Sequence, residues 1–297
     1  MQQYTVVIPV LNDPGGITTT LRSLPLDDAR LEVVVIDNGS DDHTPVVLAE
    51  FETHPAVTVM HEPREHSQFA ARNRAIAANT AEYYVFIDAD MWVTSGWLDE
   101  MDHALQTSEA RYAAVGVELA MPARPTLFDR YDHHTGFPIR RYIATKQFAP
   151  TCSLIIHHSV FAEIGLFDAR LHSGGDVEFG KRVVAAGIEI THLPQVMTHH
   201  PTRSTLRAHL HKAVRVGRGH AQMRRRHPSL FGGQHNLPRP GWVNRPSSAV
   251  PMPLRALFML LTMVLTLARG VGFVLGWLEG GTARGGGSQQ AEADPPE

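Results

Sequence analysis

The sequence contains a single cysteine, Cys152, among 297 residues. One cysteine excludes an internal disulfide framework and any zinc or iron–sulfur centre held by several thiolates. Acidic residues are missing from residues 190–278, which nevertheless carry 12 lysines and arginines. Residues 1–178 have the opposite balance, with 25 acidic and 12 basic side chains. The net charge of −3 therefore hides an acidic body followed by a basic segment, and this asymmetry indicates an anionic partner or a membrane surface.

The N-terminus also lacks the features of a secretory signal. The segment MQQYTVVIPVLND has no basic region followed by a long apolar stretch and a small-residue cleavage site. We therefore expect the body of the protein to be cytoplasmic. Hydrophobic residues make up 43% of the chain, which is enough for a full core in one large domain or two ordinary ones and excludes wholesale disorder.

Apolar, β-branched runs alternate with helical patterns in the first ninety residues. Strands are expected at 5–10, 31–37 and 83–88, with helices between them. This alternation predicts an α/β fold with a Rossmann-like, mostly parallel sheet flanked by helices. Ligands bind such sheets beyond the carboxyl ends of the strands, where Asp37 and Asp88 stand.

The second part of the chain gives a less regular pattern. Residues 111–121 predict a strand, whereas 122–150 contain four prolines and a glycine and are expected to form an irregular loop over the site. We expect the choice of ligand at the site to depend on this loop, including Tyr131, His134, Arg140 and Arg141. After it we expect a strand and short helix at 151–168, a helix at 174–187, a strand at 188–201 and a basic helix at 204–226.

Paired carboxylates follow the strand at 83–88. Asp88 and Asp90 at i and i+2 can converge on one divalent ion, and their hard oxygens suit Mg²⁺ or Mn²⁺ with room for phosphate and water. Acidic residues also end strands as turn formers, which is the alternative. Asp37 can accept hydrogen bonds from a nucleotide, or else form an Asx turn that caps the next helix.

The ordered motifs VVIPVLND, VVVIDNGSDD, AARNRAIA, FIDADMWV, GLFD, GGDVEFGKR and VMTHHP resemble those of the family 2 glycosyltransferases with the GT-A fold. The resemblance covers roughly residues 4–201. It implies an enzyme that transfers a sugar from a nucleotide-sugar donor, for which UDP is our first choice, to an acceptor hydroxyl, usually with inversion. It also implies an Asp-x-Asp motif that binds Mg²⁺ or Mn²⁺.

The resemblance also implies roles for individual residues. Asp176 is the general base, with Glu178 as second choice, because Gly175 stands where the family commonly has an acid. Asp176 could instead cap a helix. The implied metal ligands are Asp88, Asp90 and His199, the last preferred to His200. The implied donor contacts are Pro9, Leu11, Asn12, Asp37, Arg72, Asp88, Ala89 and Asp90.

Other classes of protein fit less well. A nucleic-acid binder would use the basic stretch, but residues 199–230 contain no aromatic side chain for stacking on bases. A nucleotidyltransferase would favour a basic loop after the first strand, and LNDPGGITTT has no basic residue. A non-catalytic nucleotide- or carbohydrate-binding protein is a further alternative, disfavoured by the intact carboxylates. We therefore expect no nucleic-acid partner.

Residues 254–278 form an apolar stretch interrupted by Arg269. The uncharged run from 256 to 268 is shorter than the ~20 residues that a membrane-spanning helix needs. We expect a monotopic helix or broken hairpin lying on the inner face of the membrane. A helical pair docked in a homodimer and a true span are the alternatives. A lipid-linked or cell-envelope glycan precursor would fit as acceptor.

These features divide the chain into four parts. Residues 1–201 are expected to form the nucleotide-sugar-binding and catalytic domain, and 202–253 a basic helical extension with a loop. Residues 254–279 are expected to form apolar helices for membrane association or packing, and 280–297 a disordered tail.

Overall fold

The computed structural model describes residues 2–62, 67–231 and 250–282. Seven strands form one sheet. The strands are β1 (Gln2–Val10), β2 (Leu31–Asp37), β3 (Val57–His61), β4 (Ala81–Phe86), β5 (Tyr112–Ala120), β6 (Leu154–His157) and β7 (Thr191–Pro201). The helices are α1 (Pro14–Ser23), α2 (Thr44–Phe51), α3 (Gln68–Ala78), α4 (Trp97–Ser108), α5 (Leu127–Thr135), α6 (Ile139–Lys146), α7 (His158–Ile164), α8 (Gly175–Ala185), α9 (Leu206–Arg226), α10 (Pro228–Phe231) and α11 (Met252–Thr282).

The sheet is mostly parallel, as the sequence predicts. Its strand order is β3-β2-β1-β4-β6-β5-β7. Only β6 runs antiparallel to its neighbours β4 and β5 among the described strands. The chain order reverses between β1 and β4, and this switch point is where ligands bind in open α/β sheets.

Both faces of the sheet are covered, which explains the continuous apolar runs in its central strands. In β2, Val33 and Val35 belong to the core on one face, whereas Val34 and Ile36 belong to the core on the other. Successive side chains of a strand point to opposite faces, so a strand buried on both faces has no polar alternation. The helices therefore lie on both sides of the sheet.

The segment 122–150 is not the irregular loop that the sequence predicts, because it contains α5 and α6. Thr126 begins α5 with a capping box: its Oγ accepts a hydrogen bond from the Asp129 backbone N–H at 3.2 Å, and the Asp129 carboxylate accepts one from the Thr126 N–H at 2.8 Å. The prolines at 122, 125 and 138 precede these helices, so they mark helix starts instead of excluding helices.

The apolar C-terminal stretch forms one continuous helix, so a broken hairpin is wrong. The glycines of this helix bring it close to α9. A Cβ atom on Gly272 would collide with the carbonyl oxygen of Val214, and one on Gly217 with that of Arg269. A Cβ on Gly276 would lie 2.8 Å from the Cα of Arg218. Small residues thus let α9 and α11 pack backbone against backbone.

The predicted domain boundaries remain predictions. β7 ends at Pro201, and α9 follows as the predicted basic helix. Much of the loop predicted at the end of the 202–253 extension, namely residues 232–249, lies outside the described residues. So do residues 283–297 of the predicted tail, whereas 280–282 belong to α11.

We expect the contact between α9 and α11 to be tested by two alanine substitutions in one helix. Gly272→Ala should destabilise the protein by about 1–3 kcal/mol, because the new methyl group must push the α9 backbone away. Gly270→Ala is the matched control: nothing lies within 4 Å of its Cβ position. It should be neutral or stabilise by up to about 1 kcal/mol through helix propensity. Thermal unfolding in detergent measures both, and equal effects would contradict the close packing.

Candidate active site

The loops after β1 and β2 are tied together at the carboxyl edge of the sheet. The Asn12 backbone N–H donates to Ser40 Oγ at 2.9 Å, and its side-chain oxygen accepts from the Asp41 N–H at 2.9 Å. Asn12 adopts a left-handed conformation with φ 52°. The structure thus brings Asn12 together with Asp37, and Pro9 and the exposed Leu11 precede it on the same edge.

Asp37 is a buried carboxylate at the end of β2. It lies beside Val10 in the strand register, and its Oδ1 accepts a hydrogen bond from the Ser40 N–H at 2.9 Å. Its Oδ2 lies 3.6 Å from His61 Nδ1. The Asp37 carboxylate therefore accepts from a backbone N–H three residues on, not two as in the alternative Asx turn, and this contact holds it at the strand end.

Asp88 and Asp90 follow β4 on either side of the buried Ala89. Below them lies Arg72 of α3, a fully buried arginine whose Nη2 donates to Asp88 Oδ1 at 2.7 Å. Within the described part of the chain, its Nε and Nη1 have no hydrogen-bond partner. The resemblance implies that Arg72 contacts the donor, whereas the structure places its guanidinium against Asp88. Arg72 instead supplies a buried positive charge under the paired carboxylates.

The two neighbouring histidines of β7 point to opposite sides. An antiparallel bridge joins His199 to Trp92, with N–O distances of 3.0 and 2.8 Å, and the two rings stack at 5.7 Å. His199 Nδ1 lies 3.2 Å from Glu118. His200 is buried on the other side, with Nε2 at 3.6 Å from Asp90 Oδ1. The preference for His199 is therefore corrected: alternation along the strand places His200 beside Asp90.

The carboxylates of Asp88 and Asp90 and the imidazole of His200 fit a divalent ion that is shared with a substrate. Burial raises the pKa of Asp90, and the nearby carboxylates of Asp88 and Asp13 raise it further, whereas His200 opposes them. A cation would relieve this repulsion. Across the described residues, no group of three or more His, Cys, Asp and Glu side chains forms a complete metal cage. Mg²⁺ typically takes one or two carboxylates and completes its shell with phosphate and water, which matches Asp88 and Asp90.

Asp176 stands in the first turn of α8. The turn before it requires Gly174, which has φ 86°. The Asp176 carboxylate accepts a hydrogen bond from the Val177 N–H at 2.9 Å. Burial raises its pKa to about 6, although that hydrogen bond and Arg72 oppose the shift. A carboxylate with a pKa near the working pH suits a general base.

Glu178, the second choice for the base, has a structural role. It is buried, and it accepts hydrogen bonds from Arg182 Nε at 2.6 Å and Nη2 at 2.9 Å. His227 Nδ1 lies 3.7 Å away. A carboxylate held in this way is not available to an acceptor hydroxyl.

The structure also explains why Gly175 carries no acid. A Cβ atom at this position would lie 2.8 Å from the ring of Phe69. Phe69 is buried in α3 and packs against Phe167. The aromatic ring therefore occupies the space that a side chain at position 175 would need, and Asp176 is left as the acid of this turn.

A cavity of about 410 Å³ opens beside Asp176 and reaches Asp88 and His200. Helices α5, α6, α8, α9 and α11 supply most of its wall. Of the four residues expected to govern acceptor choice, only Tyr131 lines it. Sequence reasoning missed the basic side chains of the wall, although a lone arginine in an apolar run was a visible signal. These side chains are Lys146, Lys181, Arg203, Lys212, Arg215 and Arg269.

Comparisons with known proteins agree with this fold. The family model described as Glycosyl transferase family 2 matches residues 5–164. Glycosyltransferase AglE from Haloferax volcanii is 30% identical over 223 residues, which are 74% of this chain and 73% of that protein. The pre-mycofactocin glycosyltransferase of Mycobacterium tuberculosis is 30% identical over 236 residues, 76% of this chain and 48% of that protein, so the chain spans about half of its length.

Two solved structures share the fold. TarS from S. aureus in complex with UDP-GlcNAc has a TM-score of 0.55 at 17% identity, over 96% of this chain and 92% of that chain. The mannosyltransferase PcManGT from Pyrobaculum calidifontis, in complex with GDP-Man and Mn²⁺, has a TM-score of 0.55 at 19% identity, over 96% of this chain and 76% of that chain.

The sheet and these matches define a glycosyltransferase of the GT-A fold, which confirms the predicted fold and enzyme class. The chain belongs to glycosyl transferase family 2. The nucleotidyltransferase alternative is therefore set aside.

We expect Arg182→Ala to destabilise the protein by about 3–5 kcal/mol, because it leaves the Glu178 carboxylate, 1% exposed, without its main partner. Arg111→Ala is the control. Its ion pair with Glu163 is exposed, at 42% and 44%, so its loss should cost at most about 1 kcal/mol. Thermal unfolding at pH 7 compares the two, and similar losses would show that Glu178 is not a buried structural charge.

Proposed function

We propose that this enzyme transfers a sugar from a nucleotide-sugar donor to an acceptor hydroxyl in one inverting displacement, with Asp176 as general base. The observation that carries the proposal is the shared cavity: Asp88, on the side of the paired carboxylates, and Asp176 line the same space. Because the pKa of Asp176 is about 6, this carboxyl is ionised at neutral pH and able to accept a proton.

The donor would bind across the carboxyl edge of β1, β2 and β4. Asp37, held by Ser40, would accept hydrogen bonds from the nucleoside, next to Pro9, Leu11 and Asn12. UDP remains our first choice of nucleotide, and the complex of TarS with UDP-GlcNAc supports it. The complex of PcManGT with GDP-Man makes GDP the second choice.

The diphosphate of the donor would lie at the Asp-x-Asp motif formed by Asp88, Ala89 and Asp90. These two carboxylates, with His200, would hold Mg²⁺ or Mn²⁺, which neutralises charge on the leaving diphosphate when it is bound. Arg72 orients Asp88 from below through its hydrogen bond of 2.7 Å. The Mn²⁺ in the PcManGT complex is in keeping with a metal here.

In the reaction, Asp176 takes the proton of the acceptor hydroxyl while its oxygen attacks the anomeric carbon. The new carbon–oxygen bond forms as the bond to the diphosphate breaks, on the opposite face of the sugar. A single displacement needs one base and no covalent intermediate, so it inverts the configuration. Asp176 is the one carboxylate of α8 that lines the cavity.

We also propose that the enzyme is cytoplasmic and lies on the inner face of the membrane. The outer face of α11 exposes a row of large apolar side chains, among them Met259, Met263, Leu267, Val271 and Trp277. The segment Met252–Glu279, with mean hydropathy 2.0, is the one helix of the described chain long and apolar enough to cross a membrane. A contiguous apolar face of this kind supports membrane contact, with a homodimer as the alternative.

Asp176→Asn should lower the release of nucleoside diphosphate from the donor by at least about 100-fold, because the base is lost. The donor is the UDP- or GDP-sugar that gives the largest thermal shift with Mn²⁺. Asparagine should leave that shift intact and should not destabilise the fold, since burial already opposes ionisation of Asp176. Glu178→Gln is the control and should keep its turnover per folded molecule. Normal turnover by Asp176→Asn would refute the assignment.

The raised pKa of Asp176 predicts how activity depends on pH. The base acts only when it is ionised, so kcat/KM should be level above pH about 6 and fall about tenfold per pH unit below it. This fall of kcat/KM at low pH should be absent from the residual activity of Asp176→Asn. A fall that persists unchanged in that variant would assign the titration to another group.

His200→Ala should weaken Mn²⁺ binding in the presence of UDP by about tenfold or more, because it removes the imidazole nearest to Asp90. His199→Ala is the matched control from the next position, and it should leave Mn²⁺ affinity unchanged, since its ring faces Trp92 and Glu118. Calorimetric titration with Mn²⁺ measures both. Full activity after exhaustive treatment with EDTA would refute a metal site here.

A further inference from the structure

Among the described residues, the cavity is lined by more cations than carboxylates: six lysines and arginines against Asp88, Asp132 and Asp176. Arg203 is paired with Asp132 at 3.1 Å, and Asp88 with Arg72 at 2.7 Å. Lys212 and Arg215 of α9 and Arg269 of α11 also line the cavity. In the described part of the chain, none of these last three has a carboxylate within the 4.0 Å of an ion pair.

The charged forms of two lysines on the cavity wall are disfavoured, first by burial and then by neighbouring cations. Burial, Arg203 and Arg215 lower the pKa of Lys212 to about 8. Burial and the charge of Arg269 lower the pKa of Lys146, also on the cavity wall, to about 8. Positive groups that are held together against their own repulsion form a site that an anion would stabilise.

Arg269 is the one charged residue between positions 256 and 278. It lines the cavity, and its Nε is buried without a hydrogen-bond partner among the described residues. Nearby on the outer face of the same helix, Leu267 and Val271 are 65% and 56% exposed. One helix thus presents an apolar surface outward and an arginine inward, which is the arrangement expected for a ligand that has a lipid part and an anionic part.

We propose that Lys212, Arg215 and Arg269 bind the phosphate or diphosphate group of a membrane-borne acceptor, whose hydroxyl lies at Asp176. The inference rests on the proposed function, since it treats the cavity as the acceptor site. It assigns the acceptor to one chemical class: an amphiphile that carries a phosphate between its apolar chain and the group to be glycosylated. α11 contacts the apolar chain with its outer face and the phosphate with Arg269.

The test uses the full chain in neutral detergent micelles and measures phosphate binding without donor or metal. Dodecyl phosphate in maltoside micelles is the lipid-borne probe, and inorganic pyrophosphate is the free anion. EDTA is present so that no metal draws either probe to Asp88 and Asp90. Calorimetric titration gives the dissociation constants. We expect dodecyl phosphate to bind more tightly than pyrophosphate, because only the former reaches the face of α11.

Three variants and a control locate the binding. Arg269→Gln and Lys212→Gln should each weaken both probes by about tenfold or more, since each removes a charge-assisted hydrogen bond. Arg269→Lys keeps the charge and should stay within a few-fold of the natural protein. Arg218→Gln is the matched control: this residue of α9 is 46% exposed, pairs with Glu279 and does not line the cavity. It should change neither affinity.

Each outcome decides the proposal. Equal losses in Arg218→Gln and Arg269→Gln, or no binding of either probe, would overturn it. Tight binding of pyrophosphate with no gain for dodecyl phosphate would support an anion site and overturn the membrane-borne acceptor. Binding of UDP with Mn²⁺ is measured for every variant. If Arg269→Gln still binds UDP with Mn²⁺, the variant is folded. If the natural protein does not bind UDP with Mn²⁺, the proposed function is refuted but the phosphate site is not.

Discussion

The contact between the buried Arg72 and the partly exposed Asp88 is the one on which the site depends. A guanidinium that is fully buried needs a partner, and among the described residues the hydrogen bond of 2.7 Å to Asp88 provides it. The same charge acts on Asp176 and holds its pKa below the value that burial alone would give. The charge of Arg72 therefore acts both on Asp88, the carboxylate on the donor side, and on Asp176, the proposed base. The geometry of α3 sets both, because Phe69, one turn before Arg72, also excludes a side chain at Gly175.

A second constraint comes from the C-terminal helix α11, because this helix forms part of the cavity wall. Its glycines permit the approach to α9 that places Arg269 on the cavity wall. Helix α9 contributes the adjoining Lys212 and Arg215 from a face whose buried residues are mostly small, such as Ala213 and Gly217. A domain boundary at residue 201 would therefore separate the strands that carry the carboxylates from the helices that carry the cations, although both groups line one cavity.

The sequence predicts the sheet well because the sheet is buried on both faces. The expected strand 31–37 is β2 (Leu31–Asp37), and the expected helix 174–187 contains α8 (Gly175–Ala185). The sequence does not predict α5 and α6 because the prolines that flank them are typical of loops, although the spacing of Thr126 and Asp129 is that of a capping box. Local patterns of apolar residues and caps determine these elements, so they are in principle readable from one sequence.

The parts that the sequence does not predict depend on contacts between distant segments. Alternation shows that His199 and His200 face opposite ways, but only the bridge to Trp92 determines which of them faces Asp90. Likewise, a lone arginine in an apolar run is equally compatible with snorkelling to water and with facing an interior cavity. The close packing of Gly272 on Val214 selects the second, because it orients α11 so that Arg269 faces the cavity. The basic segment of the chain thus supplies cations of α9 and α11 to the same cavity that Asp88 and Asp176 of the acidic body line.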